Sequence, residues 1–202
     1  IQTAYKEWEN FLSVAYGSFN ATDDVFLTHT YLSVFAKLLA YSVLTQDDFI
    51  SIDEMQQIIE GSIFDKLNVS NFVENDFYKW IARKDYFFAL RSAFRHIVDK
   101  ISDYDFTHVQ SDVLKGVYQE LIDLDTRHSL GEYYTPDWLC ERIVNEYSFE
   151  RHAKILDPSC GSASFLLAAT KRFKALYPDI TIEELSSQIF GIDIHPLSVQ
   201  IA

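Results

Sequence analysis

The segment from Ile155 to Phe165 constrains the fold of this 202-residue chain more than any other part of its sequence. It reads Ile-Leu-Asp-Pro-Ser-Cys-Gly-Ser-Ala-Ser-Phe: a short apolar strand, an acidic residue, a turn of small residues and the start of a helix. A second apolar run, Ile189-Phe-Gly-Ile192, leads into another acidic residue, Asp193. Strands that alternate with helices in this way predict the start of an open parallel α/β sheet.

The residues before this segment show a different periodicity. Apolar side chains recur there at the three- and four-residue spacing of helical faces, and no convincing strand is present. The first such face comprises Tyr5, Trp8, Phe11, Leu12 and Ala15. Further helices are predicted after the capping group Thr22, Asp23 and Asp24, and over residues 53–60, 71–82, 85–101 and 111–124.

The periodicity lapses between Asp125 and Gly131, which predicts a boundary between a helical domain over residues 1–125 and a second domain over residues 126–202. Within the second domain the predicted elements are a helix over 137–146, a strand over 154–157, a helix over 163–176, a short helix after Thr181, a strand over 189–194 and a helix from Pro196.

Composition limits the class of protein. A hydrophobic content of 48% with 15% aromatic residues is ample for a packed core, so a disordered chain is excluded. We expect neither a transmembrane segment nor a signal peptide, and the first residue, Ile1, suggests a piece of a longer protein. Cys140 and Cys160 are expected to be buried free thiols, and the lack of a disulfide framework fits the cytoplasm.

The formal charge of −13 is shared by both parts, with −9 in residues 1–130 and −4 in residues 131–202. This balance repels a phosphate backbone, so most contacts of a DNA-binding parent protein are expected outside this fragment. One basic cluster stands out in the helical part, and ion pairing with nearby acids is its favoured interpretation over contact with DNA. Its members are Lys79, Arg83, Lys84, Arg91 and Arg95.

The turn after Asp157 is a candidate ligand site. Ser159, Gly161 and Ser162 are small, so a ligand can approach the backbone at the carboxyl end of the first strand. Asp157 is placed to hold an amino group of that ligand. The turn is not a dinucleotide fingerprint and lacks the lysine of a P-loop, which disfavours a diphosphate. An ordinary tight strand-to-helix turn is the alternative.

Asp193 and Ile194 are the second candidate element. A carboxylate in this position can accept both hydroxyls of a ribose, and Ile194 can pack on the face of a nucleoside base. The alternative is that Asp193 simply caps the helix that begins at Pro196.

The third element is Tyr133-Tyr-Thr-Pro136, which leads into a helix. Thr135 is predicted to be the N-cap and Pro136 the first helical residue. The free N–H groups at such a helix start suit a small anion, such as the carboxylate of an amino acid. A capped helix without a ligand is the alternative.

These three elements resemble, in order, the first three motifs of adenine-specific DNA methyltransferases, above all the modification subunits of type I restriction systems and related fused restriction-modification enzymes. The motifs are Gly131-Glu-Tyr-Tyr-Thr-Pro136, Asp157-Pro-Ser-Cys-Gly-Ser-Ala-Ser-Phe165 and Gly191-Ile-Asp-Ile-His-Pro196. The resemblance covers roughly residues 130–202. It implies a fold of an α-helical bundle followed by the start of an α/β, Rossmann-like methyltransferase domain that uses S-adenosylmethionine.

The resemblance also implies roles for individual residues. Tyr133, Thr135 and Pro136 belong to the motif that holds the methionine end of the cofactor. The turn residues Asp157, Ser159, Gly161 and Ser162 line its methionine and ribose, and Asp193 with Ile194 takes the ribose and adenine.

The chain departs from the family pattern at two points. Ala163 stands where the family often has a second glycine. The catalytic motif Asn/Asp-Pro-Pro-Tyr/Phe is missing, because the four prolines are nowhere adjacent. No catalytic residue is therefore assigned, and the histidines show no metal-ligand spacing, so no metal site is expected.

The resulting prediction is an amino-terminal fragment of a DNA adenine methyltransferase, inactive alone, with DNA, a specificity subunit and a restriction subunit as partners and no membrane contact. One alternative is a methyltransferase that acts on RNA or protein. Another is that residues 1–125 form a helical interaction module for a specificity subunit or a second copy.

Overall fold

A computed structural model of the chain describes residues 1–17, 19–46, 50–73, 77–104, 113–122, 127 and 133–202. The chain divides into two compact units, Ile1–Ile122 and Asp123–Ala202. The boundary residues named from the sequence, 125 to 131, fall almost entirely outside the described residues, and the predicted domain limits stay a prediction. None of the helices in the described ranges is both long and apolar enough to cross a membrane.

The first unit is helical, as the sequence predicts. Its helices are α1 (Gln2–Tyr16), α2 (Asp23–Thr45), α3 (Ile52–Glu60), α4 (Ser62–Asp65), α5 (Lys84–Ser102) and α6 (Val113–Leu121), with 3₁₀ turns at Ser70–Phe72 and Lys79–Ala82. The helices predicted after residue 22 and over 53–60 and 85–101 are confirmed to within a residue or two. Of the helix predicted over 111–124, residues 111–112 and 123–124 lie outside the described part.

Helix α2 forms the centre of the first unit because its N-terminus is well capped and its apolar residues face several neighbours. The Thr22 hydroxyl accepts a hydrogen bond from Val25 N, and Asp23 and Asp24 lie at the positive end of the helix dipole. Its Phe26 ring packs on Trp8 of α1 at a centroid distance of 5.1 Å. These contacts tie α1 and α2 into one core.

The helix predicted over residues 71–82 is wrong. The described residues of this stretch form two separate 3₁₀ turns, and a short helix, α4, precedes them. The aromatic side chains are held by different partners: Phe72 packs on Phe64, whereas the Trp80 indole donates a hydrogen bond to the Thr30 hydroxyl. These tertiary contacts override the helical spacing of the apolar residues.

The second unit contains α7 (Asp137–Asn145), β1 (Ile155–Asp157), α8 (Ser164–Leu176), α9 (Ile182–Ser186), β2 (Ile189–Gly191) and α10 (Pro196–Ile201). The two strands pair in parallel, with Ile155 opposite Ile189 and Asp157 opposite Gly191. The predicted order of elements is confirmed. Strand β2 is shorter than the predicted 189–194, and Asp193 lies two residues beyond its end.

The core of this unit lies between the helices and the strands. One cluster joins Cys140 and Val144 of α7 to Ala168 of α8, and a second is built on Phe173, Ile180 and Leu185. Cys140 and Cys160 are buried free thiols, as predicted.

We expect Gly61→Ala to destabilise the first unit far more than Gly17→Ala. Both glycines have positive φ, so each alanine costs about 1–2 kcal/mol of strain. Only at Gly61 does a new Cβ meet backbone, 2.2 Å from the Phe72 carbonyl oxygen, and overpacking adds roughly 1–3 kcal/mol.

Thermal unfolding followed by circular dichroism at 222 nm measures the difference between the two variants. Equal losses of stability in Gly61→Ala and Gly17→Ala would show that Gly61 does not contact the Phe72 backbone in this way.

Candidate ligand site at the carboxyl ends of the strands

The turn between β1 and α8 is held by its own polar groups. The Asp157 carboxylate accepts a hydrogen bond from Ser159 N through Oδ1, at 3.1 Å. Cys160 N donates to the Ile192 carbonyl oxygen at 2.9 Å, and Ala163 N donates to the Cys160 carbonyl oxygen at 2.8 Å. The turn is therefore fixed to the segment that leaves β2.

Gly161 is the residue where the three sequence motifs meet. Its N–H donates to Asp193 Oδ2 at 2.8 Å, which joins the first turn to the segment after β2. A Cβ built on Gly161 would lie 3.8 Å from Cε1 of Tyr134, so the tyrosine ring lies beside the same turn. The backbone of Gly161 has φ of +52°, a conformation that favours glycine. Gly131 and Glu132, at the start of the first motif, lie outside the described residues.

Asp193 also shapes its own loop. Its Oδ1 accepts from His195 N at 2.8 Å, while Oδ2 accepts from Gly161 N. The N-cap of α10 is His195, and that helix has no side-chain cap hydrogen bond. The alternative in which Asp193 caps α10 is therefore wrong. Each carboxylate oxygen keeps a second lone pair for a ligand hydroxyl.

The predicted N-cap of α7 is wrong by one residue. Pro136, with φ −60° and ψ 139°, is the N-cap, and the helix begins at Asp137 without a side-chain cap hydrogen bond. The extended ψ of Pro136 explains the shift, because the proline ring fixes φ but not ψ. The Pro136 carbonyl accepts from Leu139 N at 2.9 Å, and the half-buried Thr135 lies one residue before the N-cap.

The remaining predicted residues differ in exposure. Tyr133 is 71% exposed and Ile194 is 55% exposed, so neither is needed to fill the core. Ser162 is 6% exposed, and its buried Oγ has no hydrogen-bond partner among the residues that the structure describes. Sequence reasoning missed Tyr134, whose ring lies at Gly161. Two adjacent tyrosines give no sign of which one faces the turn.

The electrostatic field at the turn is negative. Burial, followed by the charges of Asp193 and Asp157, raises the pKa of Cys160 to about 11, which keeps the thiol neutral. Burial lowers the pKa of His195 to about 4, so this ring is neutral as well. Within the described residues neither carboxylate forms an ion pair. The turn is therefore suited to a ligand with positive charge and hydroxyl donors.

Close packing behind the turn requires glycine at the end of β2. A Cβ built on Gly191 would lie 2.7 Å from Cδ1 of Leu166 and 2.9 Å from Sγ of Cys160. The cysteine and the first turn of α8 thus press directly against this strand. In the described part of the chain no group of three or more His, Cys, Asp or Glu residues is arranged to hold a metal ion.

Ala163 is strained, contrary to the prediction that it begins the helix. It has φ of +68° and ψ of 25°, and α8 begins one residue later at Ser164. Alanine in this left-handed region costs about 1–2 kcal/mol. Strain of this kind accumulates at ligand-binding turns that are held in place by their surroundings.

This geometry places a candidate ligand site where the two short parallel strands of a mostly helical chain end. The family model described as N-6 DNA methylase matches residues 109–202. This match confirms, for residues 109–202, the family resemblance inferred from the three motifs.

Three relatives of this chain are named as methylase subunits of type I restriction enzymes. The type I restriction enzyme EcoEI methylase subunit of Escherichia coli is 31% identical over 103 residues, which cover 49% of this chain and 21% of that protein. In Methanocaldococcus jannaschii, the MjaVII methylase subunit is 28% identical over 88 residues, covering 41% of this chain and 15% of that protein. The MjaVIII methylase subunit is 30% identical over 94 residues, covering 46% and 16%.

The chain therefore spans about a fifth or less of the length of these relatives. No solved structure is significantly similar to it.

We expect Ala163→Gly to preserve or raise the stability of the second unit. Relief of about 1–2 kcal/mol of left-handed strain outweighs the roughly 0.4–1 kcal/mol by which glycine favours the unfolded chain. The matched control is Ala168→Gly, in the buried interior of α8, which should lower stability by about 1 kcal/mol or more. Chemical denaturation of both variants measures the contrast, and a loss in Ala163→Gly as large as in Ala168→Gly would contradict the backbone conformation of this turn.

Proposed function

We propose that residues 133–202 form the first part of the S-adenosylmethionine site of an adenine-specific DNA methyltransferase from a restriction-modification system. One observation carries the proposal: the three motif segments converge on Gly161, where the Tyr134 ring and the Asp193 carboxylate approach the same residue. Membership of residues 109–202 in the N-6 DNA methylase family supports the same assignment.

The charges around the turn fit this cofactor. S-adenosylmethionine carries a sulfonium and an ammonium against a single carboxylate, so its net charge is positive. Asp157 and Asp193 supply negative charge that no cation of the described residues neutralises through an ion pair. A dinucleotide would instead bring a diphosphate into this field, which the two carboxylates oppose.

Individual residues then take specific roles. Asp193 accepts the ribose hydroxyls through its remaining lone pairs, and the exposed Ile194 packs on the adenine. The orphaned Oγ of Ser162 gains a partner from the ligand, which removes the cost of a buried unsatisfied hydroxyl. Asp157 holds the amino group, and Thr135 with the N-terminus of α7 faces the carboxylate.

Tyr133, Pro136, Ser159 and Gly161 complete the proposed lining. Tyr133 and Pro136 belong to the segment that the family uses for the methionine end, and Ser159 and Gly161 belong to the turn. Tyr134 joins this set as a residue that the sequence did not single out, because its ring lies beside Gly161.

In the reaction we propose, S-adenosylmethionine supplies an electrophilic methyl group to the amine of a target adenine. The residues of this chain bind and orient the cofactor and do no further chemistry. The Asn/Asp-Pro-Pro-Tyr/Phe motif that would receive a flipped adenine does not occur in the 202 residues. Methyl transfer therefore needs residues that this sequence does not contain.

A second function is proposed for the helical unit. Relatives of this chain are named as subunits, which favours assembly with other chains. The first unit is a candidate surface for a specificity subunit, a restriction subunit or a second copy. Membership in a DNA methylase family disfavours the alternatives of RNA or protein as the methylated substrate.

We expect the 202-residue chain to bind S-adenosylmethionine weakly and Asp193→Asn to bind it still less. Losing charge-assisted hydrogen bonds of about 1.5–3 kcal/mol lowers affinity by roughly tenfold to a hundredfold. Saturation-transfer difference NMR suits this measurement, because it detects binding in the millimolar range that we expect of a partial pocket. The matched control is Glu183→Gln, which removes the same charge from an exposed site in α9.

Ile194→Ala provides a second variant that does not depend on the turn, because the Ile194 side chain is largely exposed and does not support the fold. It should weaken the signal from the adenine protons while circular dichroism stays unchanged. The proposal fails if the chain gives no transfer signal at millimolar cofactor, or if Asp193→Asn and Ile194→Ala bind as well as Glu183→Gln.

A further inference from the structure

Helix α5 carries a row of cations along one face. Lys84, Arg91 and Arg95 follow one another at spacings of seven and four residues, which places them on the same side of the helix. The 45% exposed Phe88 lies on that side between Lys84 and Arg91. We call Lys84, Arg91 and Arg95 the basic stripe.

The prediction that these cations form ion pairs is wrong for the described residues. The ion pairs found there involve Lys100, Arg151 and Lys171, and no member of the basic stripe. The acidic side chains of α5 are Asp85, which follows Lys84, and Asp99, one helical turn after Arg95, and neither forms an ion pair with the stripe among the described residues. In a chain with a formal charge of −13, three cations on one helical face that form no ion pair with any described residue are an exception to the surrounding charge.

The stability of α5 does not explain where the basic residues lie. Arg83 is the N-cap and Lys84 the first residue of the helix, so both lie at the positive end of the helix dipole. Cations are disfavoured there by about 0.3–1 kcal/mol each, and only Asp85 offsets them in the first turn. Two cations combined with a positive helix end instead form a local attraction for an anion.

We propose that the basic stripe of α5 contacts the sugar–phosphate backbone of duplex DNA. Lys84 and Arg95 are separated by about 16 Å along the helix, at 1.5 Å per residue. Duplex DNA presents one phosphate per ~1.7 Å of its axis, so phosphates are available along the whole stripe. Arg91 and Arg95 each present a planar fork that binds phosphate oxygens in a bidentate manner.

The choice of DNA over an acidic protein rests on the proposed function, because the second unit belongs to a DNA methylase family. The family match begins at residue 109, so it does not cover α5, and this contact assigns a role to a helix outside the match. It is a local exception to the expectation that most DNA contacts lie outside this chain.

Two neighbouring cations are not included in the stripe. Lys79 and Arg83 line an open groove that also contains the acidic residues Glu7 and Glu60, so the field there is mixed. Lys84 also lines that groove, so its share of the contact should be the smallest of the three. Arg91 and Arg95 are absent from the groove lining, and they should contribute most to the contact.

The test compares the triple variant Lys84→Gln, Arg91→Gln, Arg95→Gln with a control that has the same charge change. The control replaces Lys6, Lys66 and Lys100 by Gln, three exposed cations that lie outside the stripe. Fluorescence anisotropy with a labelled duplex of about 20 base pairs, over a salt series, gives the affinity and its salt dependence.

We expect the stripe variant to bind about tenfold or more weakly at low salt and to lose roughly 2.7 from the slope of log K against log salt, at about 0.9 per phosphate contact. The control should keep most of the wild-type slope. The charge-preserving variant Arg91→Lys, Arg95→Lys should keep the slope too. Should the triple variant unfold, the exposed single variant Arg91→Gln still lowers the slope by about 0.9.

Three outcomes overturn the proposal: no binding of duplex by the wild-type chain at low salt, equal slopes for the stripe variant and its control, or binding of poly-glutamate with the same dependence on the stripe. The last result would assign the stripe to an acidic protein surface. The cofactor titration is measured separately, so loss of the DNA contact and loss of the cofactor site are distinguished.

Discussion

The candidate site depends on one hydrogen bond, from Gly161 N to Oδ2 of Asp193, at 2.8 Å. Gly161 lies in the turn after β1 and Asp193 in the segment after β2, so this bond joins the ends of two parallel strands. Hydrogen bonds to charged groups contribute about 1.5–3 kcal/mol, more than neutral ones. Besides this bond, two backbone hydrogen bonds fix the start of the turn to the segment after β2, from Cys160 N to the Ile192 carbonyl and from Ile192 N to the Asp157 carbonyl.

The Asp193 carboxylate has two roles. It holds the turn through Gly161 and its own loop through His195, and it offers its remaining lone pairs to a ribose. Because the carboxylate is already oriented by the backbone, a ligand does not have to order it on binding. Preorganisation of this kind is how a small cleft gains affinity without additional contact area.

Packing beneath the turn explains why its residues are so small. Cys160 and Leu166 press against Gly191, where any Cβ would collide with them, and the strained Ala163 connects the turn to α8. The small side chains therefore leave the backbone of the turn open to close approach by a ligand. The buried hydroxyl of Ser162 has no partner within the described part of the chain, a cost that a bound ligand can remove.

Much of the second unit could be predicted from the sequence because local signals agree with the tertiary structure. The strand, the turn and α8 follow one another as the residues from Ile155 to Leu176 indicate. Where prediction failed, the deciding contact was distant or the local chemistry was ambiguous. Proline fixes φ but not ψ, so Pro136 adopts an extended ψ and α7 begins one residue later than the sequence predicts. Two adjacent tyrosines give no indication that it is Tyr134 that lies at Gly161.

The first unit shows the same limit more strongly. The end of α3 at Gly61 follows from a local glycine with positive φ, whereas residues 71–82 carry a helical pattern that the packing of Phe72 and Trp80 overrides. The ion-pairing state of Arg91 and Arg95 was also beyond the sequence, because it depends on which acids lie near them in space. The candidate cofactor residues remain a proposal from the motifs and their convergence.

The most direct test of that convergence is an NMR measurement at Gly161 in the 202-residue chain. We predict a nuclear Overhauser effect between the ring protons of Tyr134 and the α-protons of Gly161, and slow hydrogen exchange of the Gly161 amide that becomes faster in Asp193→Asn. An exposed, rapidly exchanging Gly161 amide with no contact to Tyr134 would contradict the common site on which the cofactor assignment depends.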